Sequence, residues 1–249
     1  MINPADYTKL VWKDEFVKPF LDSEKWEMEV GEKWFNHELQ AYTNSKQNVY
    51  IKNSQLIIQA KKQKYKSAQY TSARIRTKNK GDWRSGKIEV RAKLPKGQGI
   101  WPAIWMLPTH AKYGKWPKSG EIDIVELRGQ HPDKIISALH YGQNYPNNKY
   151  LTGEYQLKNG SFSDDFHVFS LLWDTDQLHW FVDGQKYFSI YAADLKPDSF
   201  IFNAKFHLLL NVAVGGDFLG NPDNSTIFPQ QMVVDFVKVY QLNNINKRK

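Results

Sequence analysis

The sequence predicts an all-β chain, a sandwich or a barrel, and three observations carry that prediction. Apolar residues recur with a period of two rather than 3.6. Strand-like runs are separated by short turn signals. No convincing amphipathic helix of about twelve residues or more appears in the 249 residues.

Taken in order, Val49-Tyr50-Ile51 and Leu56-Ile57-Ile58 flank Lys52-Asn53-Ser54-Gln55, which reads as a hairpin. Residues 87–94 alternate: Ile88, Val90, Ala92 and Leu94 point one way, and Lys87, Glu89, Arg91 and Lys93 the other. Residues 178–182 and 186–190 flank Asp183-Gly184-Gln185, a stronger hairpin signal because Asp-Gly suits a tight turn between twisted strands. Residues 206–214 and 233–240 read as two more strands. Many short strands joined by turns indicate two packed sheets or a closed barrel.

Composition bounds the rest. The length fits one large domain, residues 1–249, with 243–249 a polar tail. Hydrophobic residues make up 41% and charged residues 24%, enough apolar surface for a substantial core. There is no Cys, which excludes disulfides, thiol catalysis and Cys-ligated metals. The net charge of +8 is spread along the chain and reads as a solvated basic surface. No apolar run approaches the ~18 residues of a membrane span, and Met1-Ile2-Asn3-Pro4-Ala5-Asp6 lacks a basic segment followed by an apolar one. Nine Trp are more than packing usually requires.

The segment that carries chemistry is Glu121-Ile122-Asp123-Ile124-Val125-Glu126. On a strand, Glu121 and Asp123 share one face, while Ile122 and Ile124 share the other and suit a core. Glu126 has the wrong parity, and burying an unpaired carboxylate there would cost several kcal/mol. A one-residue bulge near Ile124-Val125 restores it to the acidic face and returns Leu127 to the core. Three carboxylates on one ribbon repel one another and raise at least one pKa, which suits acid–base chemistry. A retaining glycosidase needs one ionised and one protonated carboxyl close together. Spacing alone leaves open an edge strand whose acids face solvent, and a hard-cation site.

Upstream, Trp101 and Trp105 share parity in the 99–108 run, where Pro102 argues for an edge or a distortion. Indole faces suit pyranose rings, although two core Trp fit the pattern as well. Trp116-Pro117-Lys118-Ser119-Gly120 leads directly into the acids.

The Trp-Pro-Lys-Ser-Gly-Glu-Ile-Asp-Ile-Val-Glu run strongly resembles the signature of glycoside hydrolase family 16, and within it the laminarinase-like endo-β-1,3-glucanases. Nearly the whole chain shares the resemblance, through segments at 12–16, 36–43, 72–75, 101–108, 138–142, 211–216 and 234–240. It implies a β-jelly-roll sandwich of two antiparallel sheets with a concave glycan-binding cleft, and retaining endo-hydrolysis of β-1,3-glucan, with mixed-linkage β-1,3-1,4-glucan as a further substrate. By the same resemblance Glu121 is the nucleophile, Glu126 the general acid/base and Asp123 their assistant. Asn36, Arg74, Trp101, Trp105, Trp116 and His140 are expected to bind sugar. One structural Ca2+ is expected at Glu15, Asn53 and Asp235, with Asn53 standing where the family often has a Gly turn. The loop 216–220 departs from the family's frequent Asn-Trp form, which puts a sugar contact at Phe218 in doubt.

Alternatives are a hydrolase of another β-linked polysaccharide such as a marine galactan, and a non-catalytic glucan-binding module. The three acids argue against the module. They also argue against nucleic acid as a partner, since they would repel phosphate. The expected partner is therefore a β-glucan, with no membrane and no nucleic acid, bound by a monomer. A polymeric substrate implies a secreted, periplasmic or cell-surface location.

Overall fold

The computed structural model describes residues 2–243; the expected polar tail lies outside them from 244 onward. Asn243 itself is tied down, its backbone N–H donating to the Asp6 carbonyl at 2.9 Å. In chain order the first strands are β1 (Lys9–Asp14), β2 (Glu27–Glu29), β3 (Gln40–Tyr42), β4 (Val49–Lys52), β5 (Gln55–Tyr65), β6 (Ala68–Ser72), β7 (Arg74–Arg76), β8 (Asp82–Trp83) and β9 (Gly86–Lys93). They are followed by β10 (Ile100–Pro108), β11 (Glu121–Leu127), β12 (Lys134–Gly142), β13 (Asn148–Gln156), β14 (His167–Trp173), β15 (Gln177–Val182), β16 (Gln185–Tyr191), β17 (Phe206–Val214) and β18 (Gln230–Gln241). The helical elements among the described residues are two short 3-10 turns, Pro4–Asp6 and Ala192–Leu195.

The strands form two sheets. One runs β16-β15-β14-β9-β18-β5-β6-β3, with β1 on β18 and β4 on β5; the other runs β13-β12-β11-β10-β17-β7-β2, with β8 on β17. Both expected hairpins form. Asn53 and Ser54 (φ 53° and 54°) turn β4 into β5, and Asp183 and Gly184 (φ 49° and 79°) turn β15 into β16. Paired positive φ values are what a two-residue turn between right-twisted strands requires. The alternation of β9 is realised, with Ile88, Val90 and Ala92 fully buried.

One core lies between the sheets. Ile88, Val90, Leu171, Trp173 and Trp180 meet Ile104, Ile122, Ile124, Leu139, Leu208 and Leu210. Trp26, Trp83, Trp173 and Trp180 are buried and spent on packing. Trp12, on β1 of the ten-stranded sheet, packs edge-on against Trp26 and Trp83, which leaves Trp101, Trp105 and Trp116 around the acidic strand and Trp34 beside Arg74. β17 is buried throughout, because the chain around β3 covers its outer side: Leu39 N–H donates to the Val214 carbonyl and Asn211 Nδ2 donates to the Tyr42 hydroxyl.

Candidate active site

β11 lies between β10 and β12 in the eight-stranded sheet. Glu121 pairs with His140 and Asp123 with Ala138, but the next pairs are Glu126 with Ile136 and Leu127 with Ile135. Ile124 and Val125 therefore oppose Ser137 alone, which is the bulge that the parity of Glu126 demands. Ile122, Ile124, Val125 and Leu127 all enter the core, and Glu126 turns out beside Asp123.

A bulge leaves ladder carbonyls without partners, and buried carbonyls need them. Here they are satisfied across the core. Ser137 Oγ donates to the Ile124 carbonyl at 2.6 Å, and so accepts from the Tyr187 hydroxyl at 2.5 Å. Trp180 Nε1, from the other sheet, donates to the Asp123 carbonyl at 2.9 Å. Immediately before Glu121 the chain bends through Gly120 at φ 87°, where a Cβ would lie 2.6 Å from the Phe202 ring.

The three carboxylates are placed unequally. Asp123 is 2% exposed, and its Oδ2 lies 3.2 Å from His140 Nε2, which is also 4.0 Å from Glu121 Oε1. Trp116 Nε1 donates to Glu121 Oε2 at 2.8 Å, and Trp101 Nε1 donates to Glu126 Oε1 at 3.0 Å. Burial pushes Glu121 and Glu126 up to about 8, with the Asp123 charge adding to it, and burial alone pushes Asp123 up to about 8. The three titrate as one coupled unit that retains protons near neutrality while the indole N–H groups favour ionisation at the two glutamates. One ionised and one protonated carboxyl can thus coexist here, as double displacement at an anomeric carbon requires.

Around the acids, Trp105 Nε1 donates to Asn211 Oδ1 at 2.7 Å. The Arg74 guanidinium lies 4.7 Å from the Trp105 ring and 5.0 Å from that of Trp34, with its Nε 2.5 Å from Glu29 Oε2. Arg74 is therefore held among two indoles and a carboxylate. Glu121, Asp123, Glu126, Trp101, Trp116 and His140 form one connected group; Trp105 and Arg74 adjoin it through β10 and β17. Asn36 stands apart on an exposed loop at φ 58°, with its carbonyl accepting from Asp217 N–H at 2.9 Å.

Sequence reasoning missed Ser137, Tyr187, Trp180, Trp34 and Asn211. Asn211 had a signal, a lone polar residue in the apolar run of β17, because a buried amide needs partners. The others act through tertiary contacts, Trp34 from the loop before β3 and Ser137, Tyr187 and Trp180 across strands, and had none.

Two metal sets can be compared with the geometry. Glu121, Asp123 and His140 each bring one ligand atom within 4.8 Å of the others, the one such group among the described residues. Two carboxylates and an imidazole fall short of the roughly six to eight oxygens calcium takes. The three positions expected for calcium lie elsewhere, near one edge of β18: β1 pairs with it as far as Asp14↔Val237, and β5 as far as Leu56↔Val234, just past the Asn53 turn. The two carboxylates among them have protein partners: Lys13 and Lys238 hold Glu15 at 2.6 and 2.9 Å and keep its carboxyl low, at about 2, and Arg91 holds Asp235 at 2.8 Å.

Comparison with known proteins agrees with this geometry. The family model "Glycosyl hydrolases family 16" matches residues 36–227. The chain is 39% identical to Glucan endo-1,3-beta-glucosidase A1 of Niallia circulans over 93% of its own length but 38% of that protein's. It is likewise 39% identical to a Beta-glucanase of Rhodothermus marinus, covering 95% of this chain and 86% of the other. The laminarinase catalytic domain of Thermotoga maritima superposes with a TM-score of 0.88 at 40% identity, covering 96% of this chain and all of that one. With the bulged acidic strand, the two-sheet jelly roll and a family match over most of its length, the chain belongs to glycosyl hydrolase family 16.

Proposed function

We propose that the chain is an endo-acting β-1,3-glucan hydrolase that works by double displacement. The observation that carries this reading is the pair of indole N–H donors, Trp116 on Glu121 and Trp101 on Glu126, with buried Asp123 between the two glutamates in sequence. Glu121 attacks the anomeric carbon while Glu126 passes its proton to the departing glycosidic oxygen. Glu126, now ionised, then takes a proton from water, which hydrolyses the glycosyl–Glu121 ester. Asp123, which burial keeps protonated more readily than a free carboxyl, keeps a proton available to the cluster. Trp105, Trp34 and Arg74 supply flat apolar and donor surface to glucose units beside the cleavage point, and Asn36 meets the chain at the exposed loop.

The relatives' names support β-1,3-glucan as substrate, and mixed-linkage β-1,3-1,4-glucan is the second substrate we infer. Side-by-side product profiles on laminarin, lichenan, agarose and xyloglucan test the choice; cleavage of agarose alone would refute it. Glu121→Gln should lose several orders of magnitude in turnover yet still bind oligosaccharide, and NMR of fresh products should show the β-anomer first. We infer further that the protein acts outside the cytoplasm, is monomeric, and takes one calcium ion at Glu15, Asn53 and Asp235. Cell fractionation, size-exclusion chromatography with light scattering, and calcium titration test these three statements.

A further inference from the structure

We propose that Phe218 is a positioning residue for proton donation by Glu126, acting through Trp101 and Arg128, and not a platform for sugar. The inference rests on the reading of Glu126 as the general acid.

Phe218 stands on the loop after β17. Gln98 Nε2 and Gln130 Nε2 both donate to the neighbouring Leu219 carbonyl, at 3.2 and 2.9 Å, and Asp217 N–H donates to Asn36. The loop is therefore fixed by its backbone, and the Phe218 ring is delivered to one place. There it packs on the Trp101 indole, centroids 4.8 Å apart and planes 32° apart. The Arg128 guanidinium lies 4.3 Å from the same ring. Arg128 follows Glu126 closely in sequence, and its Nε is buried without a hydrogen bond, so the aromatic face is what holds the guanidinium.

The other end of the stack reaches the chemistry, since Trp101 Nε1 donates to Glu126 Oε1 at 3.0 Å. An indole rotates about two side-chain bonds, and its N–H stays on one carboxylate oxygen only while the ring is pinned. Phe218 pins it. The same ring keeps a positive charge near Glu126, and both the N–H and the charge favour its ionised form. Proton transfer is steep in donor geometry and donor acidity, and such a positioned acid contributes roughly 100- to 10,000-fold. With one face against Trp101 and the guanidinium over its ring, Phe218 has little surface left for a pyranose.

The test compares Phe218→Ala, Phe218→Tyr, Phe218→Leu and Glu126→Ala on two substrates, a β-1,3-gluco-oligosaccharide and a 2,4-dinitrophenyl β-laminaribioside. The dinitrophenolate leaves without a proton, so its departure does not need the acid. Phe218→Ala is expected to lose roughly 10-fold or more in kcat/KM on the oligosaccharide, mostly in kcat, and less than about 3-fold on the activated glycoside. The alkaline limb of its pH profile should move upward, because Glu126 holds its proton more tightly without the donor and the charge. Phe218→Tyr should restore both readouts. Phe218→Leu, which keeps the loop filled, serves in the same role where the Ala variant folds poorly. Equal losses on both substrates through KM, with an unmoved pH profile, would make Phe218 a sugar platform and overturn the proposal, as would no loss at all. Glu126→Ala separates the two readings. Read in kcat/KM, which reports the glycosylation step and not the later attack of water that also uses Glu126, the outcomes separate: if Glu126→Ala spares the activated glycoside and Phe218→Ala does not, only the role of Phe218 falls; if Glu126→Ala loses both substrates alike, the general-acid reading falls and takes the proposal with it.

Discussion

Replacing Glu121 with Gln should make the protein more stable, and only above a certain pH. In the folded chain the Glu121 carboxyl is pushed from 4.5 to about 8 by burial and by the Asp123 charge. A raised carboxyl pKa means that the folded state holds the proton more tightly than the unfolded chain. Below about pH 4 the group is protonated in both states and costs nothing. As pH rises toward about 8 the unfolded chain ionises freely while the folded one resists, and stability falls. Each tenfold in proton affinity is worth about 1.4 kcal/mol, so the ceiling on the penalty is ~5 kcal/mol. The structure reduces it, because the side chain is still 16% exposed and the three acids share protons, so removing one relieves only part of the strain on the others. We expect ~2 kcal/mol at pH 8, or ~4–8 °C in Tm for a chain of this size. Gln keeps the acceptor for Trp116 Nε1, so packing is preserved. Calorimetric melting of both proteins from pH 4 to 9 is the assay. A variant no more stable than wild type at pH 8, or a gap just as wide at pH 4, would refute the reasoning.

Four further outcomes are expected. Ser137→Ala strands the Ile124 carbonyl and the Tyr187 hydroxyl, and should cost ~1–3 kcal/mol in urea unfolding and lower kcat more than it changes KM. Gly120→Ala forces a Cβ against Phe202 at a positive φ and should destabilise by at least ~2 kcal/mol, visible as a lower Tm together with lower activity. Asn211→Leu removes the acceptor of Trp105 Nε1 and the donor to Tyr42; KM for oligosaccharide should rise several-fold, roughly in line with one lost hydrogen bond, with kcat little changed. Calcium should raise Tm in a saturable way that Asp235→Asn abolishes; a Tm that ignores both calcium and chelator would leave Lys13, Lys238 and Arg91 as the permanent partners of those carboxylates.

Much of the fold was legible because strand periodicity is local. The alternation of residues 87–94, the Asp183-Gly184 turn and the absence of helical spacing each depend on neighbours in sequence, and each was realised. The excess of Trp was also legible, but its division was not. Trp173 and Trp180 pack the core while Trp101 and Trp116 donate to the acids and Trp105 to Asn211 beside them, and nothing in composition separates the two groups. His140 was expected to meet sugar; in the fold it is cross-strand neighbour to Glu121 and in contact with Asp123, so its first partner is the acidic cluster. Phe218, doubtful as a sugar contact from its loop sequence, packs on Trp101.

The sequence by itself determined which carboxylates share one strand and that this strand must be bulged to bring all three to one face. Side-chain parity follows from bond geometry, and a carboxylate forced into the core is too costly to keep. Parity says nothing about register. Which residue faces Glu121 across the ladder, which hydroxyl meets the freed carbonyl of Ile124, and which indole crosses the core to Asp123 depend on pairing segments far apart in the chain. The acidity of the three carboxyls is set the same way. It comes from the water excluded by both sheets and from the charges they bring near, so it exists only once the sandwich has closed.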